Sequence, residues 1–176
     1  NIVHPSAEPN EENERGEKIK RAQESLAYLA DAAEKCGSVI AVENLPRTCL
    51  GRDSKDIREL LSADDRLRAC FDTNHLLKQP IKDFILDIGE KIITTHVSDF
   101  DFVDEKHWLP GEGKIDWNEL IATLNDVKYE GPFMYELSLA PTRTIKRRML
   151  THADFKENYD SLMNGEKPKI IGTPLV

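Results

Sequence analysis

The chain has 176 residues, enough to bury one sizeable core, and carries 32 acidic against 24 basic side chains for a net charge of −8. That balance disfavours a general phosphate-backbone binder, so nucleic acid is not the expected partner. Neither a basic start followed by an apolar run nor a stretch of about 20 apolar residues occurs, which argues for a soluble protein with no membrane partner. Cys36, Cys49 and Cys70 are odd in number and lack CxxC spacing. They predict neither a disulfide framework nor a thiolate zinc knuckle, and they fit a reducing cytoplasm.

The opening residues NIVHPS read as the end of a strand with His4 at its tip. From about residue 11 to Cys36, Ile19, Ala22, Leu26, Leu29, Ala30 and Ala33 recur at helical spacing, and Gly37 follows as a stop. Ser38 to Val42 is a short apolar run that predicts a buried strand, after which Pro46 and Gly51 break regular structure. Asp53 is placed to cap a helix with Ile57, Leu60 and Leu61 on its inner face, and Arg66 to Phe71 reads as the next strand.

Pro80 suits the first turn of a helix carrying Ile81, Phe84, Ile85 and Ile88, followed by a strand from Lys91 to Thr95. A long loop from Ser98 to Ile115 leads to Asp116–Glu119, a capping-box arrangement ahead of Leu120, Ile121 and Leu124. Pro132 to Leu139 supplies the last strand. A helix is expected over Thr144 to Met163, making the basic cluster Arg143–Arg148 a solvated helical face, and residues 164–176 are expected to form an irregular tail.

This alternation predicts an α/β fold in which parallel strands alternate with helices in one domain over residues 1–163. A complete (β/α)8 TIM barrel typically needs about 250 residues, so the expectation is the C-terminal part of such a barrel with the N-terminal strands missing from this chain. Exposed sheet edges would then be covered by those missing strands or by a second copy in a homo-oligomer.

Four of the apolar runs end on a potential metal ligand: Glu43 after SVIAV, Asp72 after LRACF, His96 after IITT and Glu136 after PFMY. Strand C-termini form the working face of a parallel barrel, so these groups are expected to converge there. Three carboxylates and one imidazole make an oxygen-rich set for one divalent ion, with manganese the first choice and zinc, magnesium or cobalt behind it. Glu43 follows a buried run, where an ionised carboxylate needs a cation or a hydrogen-bonding partner. Asp72 and His75 form a D-x-x-H pair in which the imidazole is left to face a second ion or a substrate hydroxyl.

In HWLPGEG the glycines allow close turns, His107 is a site-loop candidate, Trp108 is a candidate pocket wall, and Glu112 binds a neighbour or stays solvated. His4 is a further substrate-binding candidate, whereas His152 is expected to be exposed. Cys70 inside an apolar strand is expected in the core, and Cys49 is read as a free thiol in a loop.

Taken together, HPS, ENLP, FDTNH, THVSD, HWLPGEGKIDW and YELS resemble the xylose isomerase-like TIM-barrel superfamily, especially its sugar phosphate isomerase/epimerase branch, over roughly residues 1 to 140. The resemblance implies that Glu43, Asp72, His96 and Glu136 bind a shared divalent metal. It further implies that Glu43 and Glu136 act as paired acid/base groups on a sugar or sugar phosphate through an enediolate, while His75 orients a hydroxyl. The loop after His96 has no arginine of the kind some ketose epimerases use. An apurinic-site endonuclease of the same superfamily, with a multinuclear zinc site, is the alternative. His4, His75 and His107 fall where its extra ligands would, but Glu105 stands where its D-x-H motif has aspartate. A non-catalytic half-barrel that binds a partner is the third reading.

Overall fold

In a computed structural model, which describes residues 1–175, a five-stranded sheet comprises β1 (Ile2–Val3), β2 (Ala41–Glu43), β3 (Arg68–Asp72), β4 (Ile92–Val97) and β5 (Phe133–Tyr135). The strands lie in sequence order and every neighbouring pair is parallel. Each crossover carries a helix or a long helical loop: α1 (Arg15–Lys35), α2 (Ser54–Leu61), α3 (Ile81–Ile88) and α4 (Trp117–Asp126). The sheet is thus part of a barrel wall built from successive βα units, as the alternation predicts.

Helix boundaries follow local chemistry. Gly37 at φ 65° ends α1 in the left-handed region that glycine tolerates. Asp53 caps α2 by accepting from the Asp56 amide nitrogen, and Asp116 caps α4 by accepting from that of Glu119. Pro80 sits directly ahead of α3 with φ −57°, ready to enter a helix. The apolar stripes of these helices pack on one face of the sheet, where Val42, Ala69, Phe71 and Val97 join Leu26, Ile57, Leu60, Phe84, Ile85 and Leu120 in one buried cluster. Phe71 and Phe84 stack at 5.5 Å between ring centroids. Because side chains alternate along a strand, this arrangement directs Glu43, Asp72 and His96 away from that core.

Strands β2, β3 and β4 begin later than the apolar runs suggest and reach further toward their C-terminal ends. Glu43 and Asp72 are the last residues of β2 and β3, and His96 lies within β4. In register, Asp72 is level with His96. The expected eight-residue final strand shrinks to three residues.

The helix expected from Thr144 begins only at His152, as α5 (His152–Met163). A complete capping box between Thr151 and Asp154 starts it there. Upstream, Ile145–Lys146 forms β6, which pairs antiparallel with β7 (Thr173–Pro174), so the tail is not wholly irregular. The basic cluster is therefore not a helical face: the Arg147 side chain is buried and donates to the carbonyl oxygens of Ser138 and Leu139. Arg148 instead pairs with Asp154, and His152 is exposed as expected. No helix among the described residues is long and apolar enough to cross a membrane.

Candidate metal centre and active site

The ends of β2, β3 and β4 and the residue after β5 bring Glu43, Asp72, His96 and Glu136 together, with one potential ligand atom from each falling within 4.8 Å of the others. His96 Nδ1 lies 3.2 Å from Glu43 Oε1, 3.3 Å from Glu136 Oε2 and 3.8 Å from Asp72 Oδ2. Ligands at 2.0–2.2 Å around one cation stand about 3.0–3.4 Å apart, so the cluster has nearly the size a divalent ion requires.

These same four atoms test the fit independently. Each is buried and has no hydrogen-bond partner, a costly condition that a cation would relieve. The second oxygens of Glu43 and Asp72 are already committed: Glu43 Oε2 faces His4 Nε2 at 3.2 Å, and Asp72 Oδ1 accepts from the Asn74 amide nitrogen at 2.6 Å. Ligand carboxylates held this way by outer partners keep one oxygen aimed inward.

Without a cation the charges strain against each other. Burial pushes Asp72 well above the usual carboxylate range, reinforced by Glu136 and Glu43. Glu136 goes the other way, pulled down to about 2 chiefly by the His96 imidazole 3.3 Å away. Contacts with Cys70, Glu136 and Glu43 push His96 up to about 12.

Asn44, next to Glu43, organises the floor of the site and was not singled out from sequence. Its side chain donates to the Asp72 carbonyl oxygen at 2.9 Å and accepts from the Asp72 amide nitrogen at 2.7 Å. Its own carbonyl oxygen lies 2.9 Å from His75 Nδ1, which fixes that nitrogen as the donor. His75 Nε2 then faces Glu105 Oε1 at 3.2 Å, a contact that a proton or a cation between the two completes.

His107, at φ 50°, reaches the same carboxylate with Nε2 at 3.8 Å and turns Nδ1 to the Glu136 carbonyl oxygen at 3.1 Å. Burial opposes its charge, but Glu105 and the Glu136 carbonyl outweigh burial and raise its pKa. Bonds to His107 and His75 hold Glu105 far below the usual carboxylate range. His75, Glu105 and His107 form a second group whose ligand atoms lie within 4.8 Å of one another. Sequence named both histidines, and Glu105 only as a departure from a motif.

Trp108 is placed differently from a pocket wall. It is buried in the loop, its backbone bridges Asp99, and its indole donates to Thr144 Oγ1 rather than facing the ligand cluster. The loop is knotted around Asp99, which accepts from the backbone of Phe100, Gly111 and Ile115 and from the Trp117 indole. Gly113 is required beside it, because a Cβ there would sit 2.2 Å from Asp99 Oδ1. Of its two expected roles Glu112 takes the first, binding neighbours rather than staying solvated: it accepts from the Leu109 and Gly172 amide nitrogens and faces Arg147. Cys70 is fully buried as expected, and Cys49 is buried too, although it lies in a loop.

Residues 1–155 match the family described as xylose isomerase-like TIM barrel. The chain belongs to that family. It is 28% identical over 123 residues to fructoselysine 3-epimerase of Escherichia coli O157:H7, covering 66% of this chain and 45% of that protein. Among solved structures it superposes on a D-tagatose 3-epimerase-like protein with TM-score 0.76 and 23% identity, covering 93% of this chain and 61% of that one. A second, 3-keto-D-glucoside 4-epimerase from E. coli, gives TM-score 0.69 and 18% identity, covering 93% and 63%. The chain spans about half the length of the curated relatives it matches, and the structural likenesses establish a common fold.

Proposed function

We propose that this chain carries the metal and acid/base centre of a divalent-metal-dependent isomerase or epimerase acting on a sugar or sugar phosphate. The observation that carries the reading is the convergence of four unpartnered, buried ligand atoms from Glu43, Asp72, His96 and Glu136. Relatives named as sugar 3- and 4-epimerases support the substrate class.

Glu43 and Glu136 stand on either side of His96, from β2 and from the end of β5. One removes the proton beside the substrate carbonyl and the other returns it, through an enediolate. His75, anchored by Asn44, orients a hydroxyl, and His107 lines the same mouth. A bound cation supplies Lewis-acid stabilisation of the developing oxyanion. The oxygen-rich set favours manganese, with zinc, magnesium and cobalt as competitors. Three free thiols suit a reducing cytoplasm.

The test is to titrate the protein with manganese and then follow solvent-deuterium incorporation into a panel of ketoses and aldoses, phosphorylated and free. Exchange at the carbon beside the carbonyl in metal-loaded protein supports the reading, and a metal-loaded protein that exchanges none of them overturns it. The second cluster of His75, Glu105 and His107 favours one other reading, an apurinic-site endonuclease with several zinc ions. The net charge of −8 opposes a DNA-binding face, and cleavage of abasic DNA with more than one zinc bound would reverse the preference.

A further inference from the structure

Arg47 lies four residues beyond Glu43 in the loop after β2, with φ 53°. A side chain in that left-handed region costs about 1 kcal/mol, so something must hold it. Its guanidinium does so by joining three loops of the barrel mouth. Nε and Nη2 donate to Asp104 Oδ1 at 3.0 and 2.6 Å, while Nη1 reaches Glu8 Oε2 at 3.5 Å and pairs with Glu105 Oε2.

The contact with Glu105 divides that carboxylate between two tasks. Oε2 takes the guanidinium, whereas Oε1 faces both imidazoles, His75 Nε2 and His107 Nε2. His75 in turn stands 3.5 Å from Glu43 Oε1 and from Asp72 Oδ2. A planar fork with donors spread over three nitrogens suits Glu8, Asp104 and Glu105 together better than a single compact ammonium does. Without it, Glu8 on the loop after β1 would face the adjacent carboxylates Asp104 and Glu105 on the loop after β4 with no cation between them, and Glu105 would lose the contact that fixes its Oε2.

We infer that Arg47 is a positioning residue that clamps Glu105, so that one carboxylate oxygen stays aimed at His75 and His107 beside the four-ligand cluster. The catalytic consequence rests on the sugar-isomerase reading above, but the clamp itself does not.

Two measurements decide it, made on Arg47→Met, Arg47→Lys, Glu105→Gln and the Arg47→Met/Glu105→Gln double variant. In the protein without substrate, imidazole nitrogen NMR reads His75 and His107 directly. Arg47→Met should move both sets of resonances toward those of Glu105→Gln while manganese uptake stays unchanged, and unmoved resonances would overturn the clamp. In turnover of a ketose that the wild type epimerises, Arg47→Met should lose about tenfold to a hundredfold in kcat, the loss expected from misplacing a group by about an ångström. Arg47→Lys should recover only part of it. The double variant should be no slower than Glu105→Gln alone, and additive losses would show that Arg47 acts elsewhere. A wild type inactive on every sugar would defeat the sugar reading and leave the NMR result to judge the clamp.

Discussion

The side-chain amide of Asn44 bonds both backbone groups of Asp72, donating to its carbonyl oxygen and accepting from its amide nitrogen. One amide thereby continues the β2–β3 ladder past the point where the strands end, at the place where Asp72 must be held. Asn44→Asp is expected to be worse than Asn44→Ala, because the new carboxylate would confront the Asp72 carbonyl in a fully buried position. Leaving buried groups unpaired costs about 1–3 kcal/mol each. Urea unfolding midpoints should fall in that order, and manganese affinity should fall with them.

Asp99 offers a second test of the same kind, in the loop that carries His107. Burial pushes its pKa up, and its bonds to the Trp117 indole and to the Gly111, Ile115 and Phe100 amides pull it back. All four partners are donors, so Asp99→Asn would turn an NH2 group toward two of them. A stability loss of about 1–3 kcal/mol is expected, together with faster amide exchange at Gly111 or at Ile115, whichever faces the NH2 group, since the two donate to different oxygens of Asp99. Wild-type exchange in the variant would count against this account of the loop.

Glu136 and His96 separate metal binding from proton transfer. Glu136→Gln keeps an oxygen ligand but loses a base that works at neutral pH, so it should retain metal better than His96→Ala while losing most turnover. Metal content by atomic absorption and solvent-hydrogen exchange at the substrate carbon are the two readings. Near-normal exchange in Glu136→Gln would sink its acid/base role.

The start of α5 should resist acid. Arg148, and then Thr151, hold the Asp154 carboxyl well below its ordinary value of 3.8. A depressed carboxylate stabilises the folded chain fully above its unfolded pKa and loses that contribution as pH falls through its folded one. Thermal midpoints measured downward from pH 4 should therefore decline less steeply in Asp154→Asn than in the wild type. Parallel slopes would show that the capping box adds no acid sensitivity.

What could be read from the sequence was local. Glu43, Asp72, His96 and Glu136 each terminate an apolar run, and a run with a chargeable residue at its end marks both a strand and its working tip. Once the strands are parallel, their convergence follows. The helices were legible for similar reasons, since their stripes and caps lie within one turn of each other.

What escaped depends on partners distant in the chain. Asn44 looks like an ordinary loop residue until β3 lies beside it, and the grip of Asp99 on Trp117 spans a whole loop. Trp108 suggested a pocket wall because it is aromatic and borders glycines, but Thr144 takes its indole. The basic run at Arg143–Arg148 has helical composition, yet the box at Thr151 sets the helix start and Arg147 is drawn inward by the Ser138 and Leu139 carbonyls.

Glu112 receives the Gly172 amide nitrogen from 60 positions further along the chain. During synthesis, the turn that follows His107 and Trp108 therefore keeps water on Glu112 Oε1 until the segment around residue 172 has left the ribosome. Glu43, Asp72, His96 and Glu136, all upstream of residue 137, leave the ribosome before that segment does. The nascent protein would thus have the whole four-residue cluster in hand before it has a finished rim around it.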